Sequence, residues 1–375
     1  IMIAEFSVEN FFSIKSPQKI SFEPSSDTFM SDEYSCEVKD GVRLLKVGII
    51  YGANASGKTN ILNAIEFFRM LVLRMPKDRN EKTRVVPFML DDTSRNEMTK
   101  MSMSFYINQS KFILTFELNA KYIYSETLIV YDSIRPTKLY SRSYDAETDS
   151  TAIDFGGNLK LTKKSQDVIS GNTINNCSVL AAFGKSNVER TRLNDVYDYF
   201  ANQVKDVLAP GMLLSGYVKS RLDKDENGDL KKFILNFLKA SDFNIEDVVL
   251  HEEEELITPE LEQLIQNAPI GNEAKAEMLR KGKITNTELT FKHKAGDGLY
   301  DLSEEYESNG TMRFMGLAVI LNFLLKTNRF VPIDEVETSI HYELLAYFLK
   351  VFLANSEGTS QMLLTTHDIN LLRSE

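Results

Sequence analysis

No tryptophan occurs among the 375 residues, only two cysteines and four histidines do, and 43 Lys and Arg are outnumbered by 54 Asp and Glu. Each shortage excludes something. Cys36 and Cys177 lie far apart in no ligand-like spacing, so neither a disulfide framework nor a thiolate metal site is expected. Two reduced thiols fit a cytoplasmic location. His251, His293, His341 and His367 form no cluster with cysteine, which removes a zinc centre and an HNH nuclease site. A net charge of −11 argues against a generally basic surface that coats DNA, though not against a local basic patch. Lys281, Lys283, Lys292 and Lys294 make one modest cluster of that kind, read as a solvated strand edge. The longest apolar run, residues 316–325, falls short of the about 20 residues that span a bilayer, so no membrane segment is expected. No secretory signal is read at the start. An apolar content of 43% is ample for a packed core, in one large domain or two.

What is present is more specific. Gly52-Ala53-Asn54-Ala55-Ser56-Gly57-Lys58-Thr59 fits the phosphate-loop pattern G-x-x-x-x-G-K-[ST] at every fixed position. Residues 45–51 before it read as a buried strand, and residues 60–68 after it carry apolar side chains at helical spacing. Strand, glycine-bounded loop and helix start make an anion site, because unpaired backbone N–H groups and the helix dipole face the phosphates. The candidate nucleotide-binding residues are Gly52, Asn54, Ala55, Ser56, Gly57, Lys58, Thr59 and Asn60. Lys58 is assigned to the β- and γ-phosphates of ATP, and the Thr59 hydroxyl to Mg²⁺.

A second constellation lies far downstream. Residues 330–335, Phe-Val-Pro-Ile-Asp-Glu, read as an apolar strand ending in two carboxylates. Asp334 is assigned to the Mg²⁺ shell and Glu335 to the general base that polarises water. Residues 362–367 read as another buried strand ending in His367, placed to sense the γ-phosphate. Glu307-Ser308-Asn309-Gly310-Thr311 opens a helix read over 312–326, and such a turn is a second anion site. One nucleotide in a monomer cannot use both anion sites. Two chains packed head to tail can, with Ser308 and Gly310 of each acting on the nucleotide held by Lys58 of the other.

Between these motifs, residues 101–107, 111–118 and 121–131 alternate as strands of an antiparallel meander. Residues 133–178 are polar with turn signals, and residues 179–240 carry helical periodicity. Residues 286–293 alternate again, and Glu252–Glu255 read as a solvated face or loop. The organisation expected is residues 1–132 and 286–375 as two halves of one head, with 133–285 as a β and helical insertion. Asp223, Asp225 and Gly228 begin like a Ca²⁺-binding loop, but Ile234 stands where the final glutamate belongs, so a turn capped by Asp229 is expected.

These residues resemble the ABC-type ATPases of the SMC and RecF branch. Gly52–Thr59 is similar to their Walker A motif, Val331–Glu335 to Walker B, Glu307–Thr311 to a diverged signature, Thr338–His341 to the D-loop and Thr365–Asp368 to the switch-histidine loop. The opening Val8–Ile14 is similar to the first strand of that branch. More narrowly, the chain resembles compact bacterial ATPases of anti-phage operons: the AbiL-type and RloB-associated groups and the ATPases of the PARIS and Septu systems. The resemblance implies an α/β ABC-type ATPase head, a mixed sheet with an antiparallel β lobe and a helical insertion. It further implies ATP and Mg²⁺ as cofactors and a homodimer or higher homo-oligomer. A separate nuclease or toxin effector of TOPRIM or HNH type is implied as partner, with a phage trigger or nucleic acid left open. The rivals are a RecF-like DNA-repair ATPase, a scaffold assembled by ATP with little turnover, and a transporter's nucleotide-binding subunit. Three departures stand out: Pro332 sits inside the Walker B strand, no glutamine stands in the Q-loop region of residues 86–90, and the resemblance implies a further strand or two after residue 375.

Overall fold

The computed structural model describes residues 2–26, 31–268, 271–354 and 358–372. They fall into two compact units, Ile1–Met212 with Leu324–Thr338 and Leu349–Glu375, and Leu213–Phe323 with Ser339–Phe348. Among the described residues no helix is long and apolar enough to cross a membrane.

The first unit opens with β1 (Met2–Glu9), β2 (Gln18–Ser21), β3 (Ser35–Lys39), β4 (Val42–Leu45) and β5 (Val47–Tyr51). The meander follows as β6 (Thr99–Ile107), β7 (Ser110–Leu118) and β8 (Ile123–Tyr131), continued by β9 (Thr137–Asp145) and β10 (Ser150–Phe155). A seven-stranded antiparallel sheet runs in the order β10-β9-β8-β7-β6-β1-β2. Alternation explains its face: in β7, Phe112, Leu114, Phe116 and Leu118 are buried while the residues between them are half-buried. The helix Lys58–Leu73 packs Leu62, Ile65, Phe68 and Val72 into the same core. Phe68 meets Phe6, Phe116 and Phe200 with ring centroids 5.8, 5.1 and 5.8 Å away, each such side chain contributing about 1.5–3 kcal/mol on burial.

Residues 133–178, read as polar with turns, hold β9, β10 and the helix Lys163–Asn172. The signal was weak for a physical reason. β10 is the edge strand and buries none of its residues fully: only Ile153 and Phe155 give an apolar alternation, and both are half-buried. The two cysteines are buried and unbridged.

The second unit holds β11 (Ile245–Leu256), β12 (Lys283–Ala295) and β13 (Gly298–Ser303), antiparallel in that order. Glu252–Glu255 are exposed as expected, and of the two alternatives, face or loop, they take the solvated part of a strand, β11. Lys283, Lys292 and Lys294 lie on β12, the middle strand, not at an edge. The helix Asp229–Lys239 is capped by Asp225 rather than Asp229: the Asp225 carboxylate accepts from the N–H groups of Leu230 and Lys231 at 3.1 and 2.8 Å. Phe237 stacks on Phe314 and Tyr347 at 4.8 and 5.0 Å.

The chain returns to the first unit with β14 (Phe330–Ile333) and β15 (Gln361–Thr366), which pair parallel with β5 in the order β14-β15-β5. Every residue of β14 and β15 is buried, the continuous apolar reading of a parallel strand. Pro332 is accommodated by a bend. On the open side of β14, Lys205 N–H donates to Phe330 O and Leu208 N–H to Pro332 O, both at 2.9 Å, and Asp334 N–H returns to Leu208 O at 2.9 Å. Three residues separate the first two donors instead of two. The irregularity falls where proline has no N–H to give.

Candidate functional site

The phosphate loop leaves β5 and enters the helix at Lys58, so the first N–H groups of that helix lack intrahelical partners and face the loop. Two left-handed residues shape the turn, Ala55 with φ 61° and Gly57 with φ 91°. A Cβ on Gly57 would also stand 2.9 Å from Ser13 Oγ, so glycine is required there for backbone and for space. Ser13 accepts from Asn60 Nδ2 at 2.7 Å, tying the opening segment to the loop. Ser56 N–H donates to Ala53 O at 3.2 Å and closes the turn. A Cβ on Gly52 would meet Ser56 Oγ at 2.7 Å. Lys58 is 8% exposed, and its Nζ donates to Gly52 O and Ala53 O at 2.7 and 2.9 Å.

Sequence residues 275 apart meet beside the loop. Thr59 Oγ1 donates to Asp334 Oδ2 at 2.9 Å, and lies 3.2 Å from Oδ1. Thr365 Oγ1 donates to Asp334 Oδ1 at 2.5 Å and accepts from Glu335 N–H at 2.8 Å. Asp334 and Thr365 are buried at 4% and 0% exposure, while Glu335 is half-buried. Glu335 has φ 43°, a strained value for a side chain other than glycine, and Thr338 N–H donates to its carbonyl at 2.9 Å. His367 follows β15. Its Nδ1 and its backbone N–H both lie 2.7 Å from Glu337 Oε1, and the Glu337 side chain is only 8% exposed.

The first unit thus assembles Lys58, Thr59, Asp334, Glu335 and His367. Ser308 and Gly310 belong to the second unit. There the helix begins at Asn309, three residues earlier than read from the sequence, and Ser308 caps it, accepting from Thr311 N–H at 3.0 Å. A Cβ on Gly310 would stand 2.9 Å from Ser339 O, so that turn also demands glycine. Thr365, Glu337 and Ser13 were missed as site residues. Thr365 and Ser13 lay inside motifs already noted and Glu337 between two of them, and the signal for Thr365 and Glu337 was a place two positions from an assigned residue.

The donor set fits a nucleotide with Mg²⁺. Gly52 and Gly57 keep a backbone cradle clear where side chains would intrude. Mg²⁺ takes oxygen ligands from one or two carboxylates and from substrate phosphates. One buried carboxylate beside one loop hydroxyl suits that mode, and among the described residues no group of three metal-binding side chains offers an all-protein cage. A cavity of about 530 Å³ lies instead along the flank of the loop's helix, against Phe12, Asn63, Phe67 and Met70.

Phosphate loop on β5, Asp-Glu at the tip of β14, parallel β14-β15-β5 and the antiparallel seven-stranded sheet are the parts of an ABC-type ATPase head. Residues 49–373 match the model of the family described as AAA domain, putative AbiEii toxin, Type IV TA system, and the chain belongs to that family. Among solved structures, the SMC head domain from Thermotoga maritima is similar at 14% identity and TM-score 0.43, over 100% of this chain and 92% of that one. An SmcHead bound to the C-winged helix domain of ScpA is similar at 12% identity and TM-score 0.45, over 100% of this chain and 91% of that one. No curated protein matches the chain.

Proposed function

We propose that this chain binds and hydrolyses ATP·Mg²⁺ at a head-to-tail interface between two copies, and that this cycle controls a separate nuclease effector in anti-phage defence in the cytoplasm. The observation that carries the ATPase reading is the meeting of Thr59 and Asp334 at 2.9 Å, with Glu335 next in the chain. The toxin–antitoxin wording of the family supports the defence role.

The nucleotide and metal supply the γ-phosphoryl group and neutralise its charge when bound. Lys58, freed from the two loop carbonyls, holds the β- and γ-phosphates together with the amides of residues 54–58. Thr59 and Asp334 hold the metal, and Thr365 fixes the carboxylate. Glu335 takes the proton of the attacking water. Glu337 accepts from Nδ1 of His367, which fixes the ring's tautomer and leaves Nε2 as the nitrogen that would meet the γ-phosphate. Ser308 and Gly310 close the site from the second copy.

Glu337→Gln is expected to lower ATP turnover by about tenfold to a hundredfold, the usual cost of losing a carboxylate that orients a working histidine. Nucleotide affinity is expected to stay unchanged, read by titration of a fluorescent ATP analogue. For the dimer, native mass is measured with and without ATP·Mg²⁺ in the Glu335→Gln background. A doubling that disappears in Ser308→Arg is expected; a monomer throughout would remove the trans role. Purification from cells carrying the neighbouring genes is expected to recover a nuclease-like polypeptide. Its absence at low salt would sink the effector part while leaving the ATPase intact.

A further inference from the structure

At the turn ends of the antiparallel sheet lies a groove to which the ATP site assigns no role. One cavity of about 490 Å³ is lined by Arg79, Lys82, Lys121, Tyr122, Asp149 and Asn175, among others. A second of about 330 Å³ shares Lys121 and Tyr122 with it and adds Arg95, Asn119 and Tyr124.

Tyr122 is held rigidly. Its ring stacks on Tyr144 with centroids 4.5 Å apart and planes 19° from parallel. Tyr124 meets both rings edge-on, at 6.0 and 5.8 Å. Tyr144 donates its hydroxyl to Asp149 at 2.8 Å. The opposite wall is also fixed. Thr83 N–H donates to Ala120 O at 3.0 Å, and the Asn175 and Asn176 amides donate to Arg79 O and Glu81 O at 3.2 and 2.6 Å.

The charges do not cancel. Glu81 is engaged by Arg74 and Arg84, and the backbone N–H of Lys77 together with Arg74 holds its carboxyl down at about 2. Asp149 is engaged by Arg79 at 3.0 Å. Lys82 and Lys121 are exposed, and among the described residues neither has an ion pair. Glu97 on the wall of the second cavity is its one carboxylate, set against Arg95 and Lys121, so the lining keeps an excess of cations beside the fixed tyrosine in a chain of net charge −11. Asn175 is 5% exposed, and its Oδ1 has no hydrogen-bond partner among the described residues.

A flat aromatic with cations lining the same cavity is the chemistry that recognises a base and its phosphate. We propose that this groove binds a nucleoside phosphate, with the base against Tyr122 and the phosphate on Lys82 and Lys121. A free mononucleotide and an exposed nucleotide of a single strand share that chemistry. The proposal does not depend on ATP turnover.

The test uses the full chain carrying Lys58→Ala, so that the phosphate loop does not take up the probes, with no other nucleotide present. A fluorescein-labelled oligothymidylate of about 12 residues is followed by anisotropy, with UMP as competitor. Saturable, salt-dependent binding is expected. Tyr122→Ala should weaken it about tenfold or more, Tyr122→Phe should restore it, and Lys121→Glu should weaken it and flatten its salt dependence. Equal potency of UMP and oligonucleotide assigns the groove to a free nucleotide; much tighter binding of the oligonucleotide assigns it to a strand. Lys121 is exposed, so Lys121→Glu carries the test if Tyr122→Ala fails to fold. The proposal is overturned if neither probe binds below about 1 mM, or if adding Lys121→Glu leaves the binding of both unchanged. Binding of a non-hydrolysable ATP analogue by the chain with Lys58 intact, measured in parallel, keeps such a failure separate from failure of the ATPase reading.

Discussion

Glu335→Gln is expected to reduce ATP turnover by about 10²–10⁴-fold, the range that a positioned general base contributes, with nucleotide affinity unchanged. The substitution keeps the shape of the side chain and removes its basicity. It leaves the backbone device untouched, because what holds residue 335 at φ 43° is its N–H on Thr365 Oγ1 and its carbonyl on Thr338 N–H. Asp334 keeps both hydroxyl partners, so the metal ligand set is preserved. Lys58→Ala should behave differently and lose affinity, because Lys58 contributes in ground and transition states alike. Phosphate release at saturating ATP and titration of a fluorescent analogue separate the two. Turnover within tenfold of wild type in Glu335→Gln would place the base elsewhere, with His367 next in line. A Glu335→Gln chain that still supports the cellular phenotype, while Lys58→Ala does not, would mean that binding and assembly rather than turnover matter.

The legible parts of this molecule were those where backbone chemistry restricts residue choice. Gly57 is fixed by its φ of 91° and by Ser13, and Asp334 by Thr59 and Thr365, so both were visible as pattern. The strands β7 and β8 were visible because one face is buried and the other is not, and β6 because its first residues alternate before both faces become buried. β9 and β10 were not, because the buried positions of β9 include Tyr140, Arg142 and Tyr144 and those of β10 are only half-buried, so burial does not coincide with an apolar run. Glu337 escaped because a buried carboxylate partnered by a histidine looks, in sequence, like any surface acid next to a motif. The same blindness hid the polar cluster under the sheet. Glu126 occupies the inward face of β8 with Leu128 and Val130, and Arg142 the facing position on β9, yet as letters they read as solvent positions.

Arg142→Ala is expected to destabilise the first unit by about 3–5 kcal/mol, because three carbonyls lose their donor and the nearby buried Glu126 loses its counter-charge. Arg142 is 2% exposed and donates to the carbonyls of Ile123, Ile174 and Asn175, the last two at 3.2 and 2.9 Å. Glu126, fully buried, accepts from Tyr140 Oη at 2.6 Å and Val179 N–H at 2.8 Å. Burial pushes its carboxyl up to about 7, against the pull of Tyr140 and Arg142. A carboxyl raised on folding binds its proton more tightly in the native state. Stability therefore falls as pH rises from the unfolded carboxylate's range to about 7 and is level above it. Without Arg142 one of the opposing pulls is gone, the raised range extends higher, and the fall continues past 7. The gap between wild type and Arg142→Ala should thus be wider at pH 8.5 than at pH 6, measured by urea denaturation. The double variant Glu126→Gln, Arg142→Ala should lose this pH dependence and recover part of the stability, because no ionisable group is then left in the cluster without its counter-charge. An Arg142→Ala deficit that is the same at both pH values would show that its cost lies in the three lost carbonyl contacts and not in the charge of Glu126.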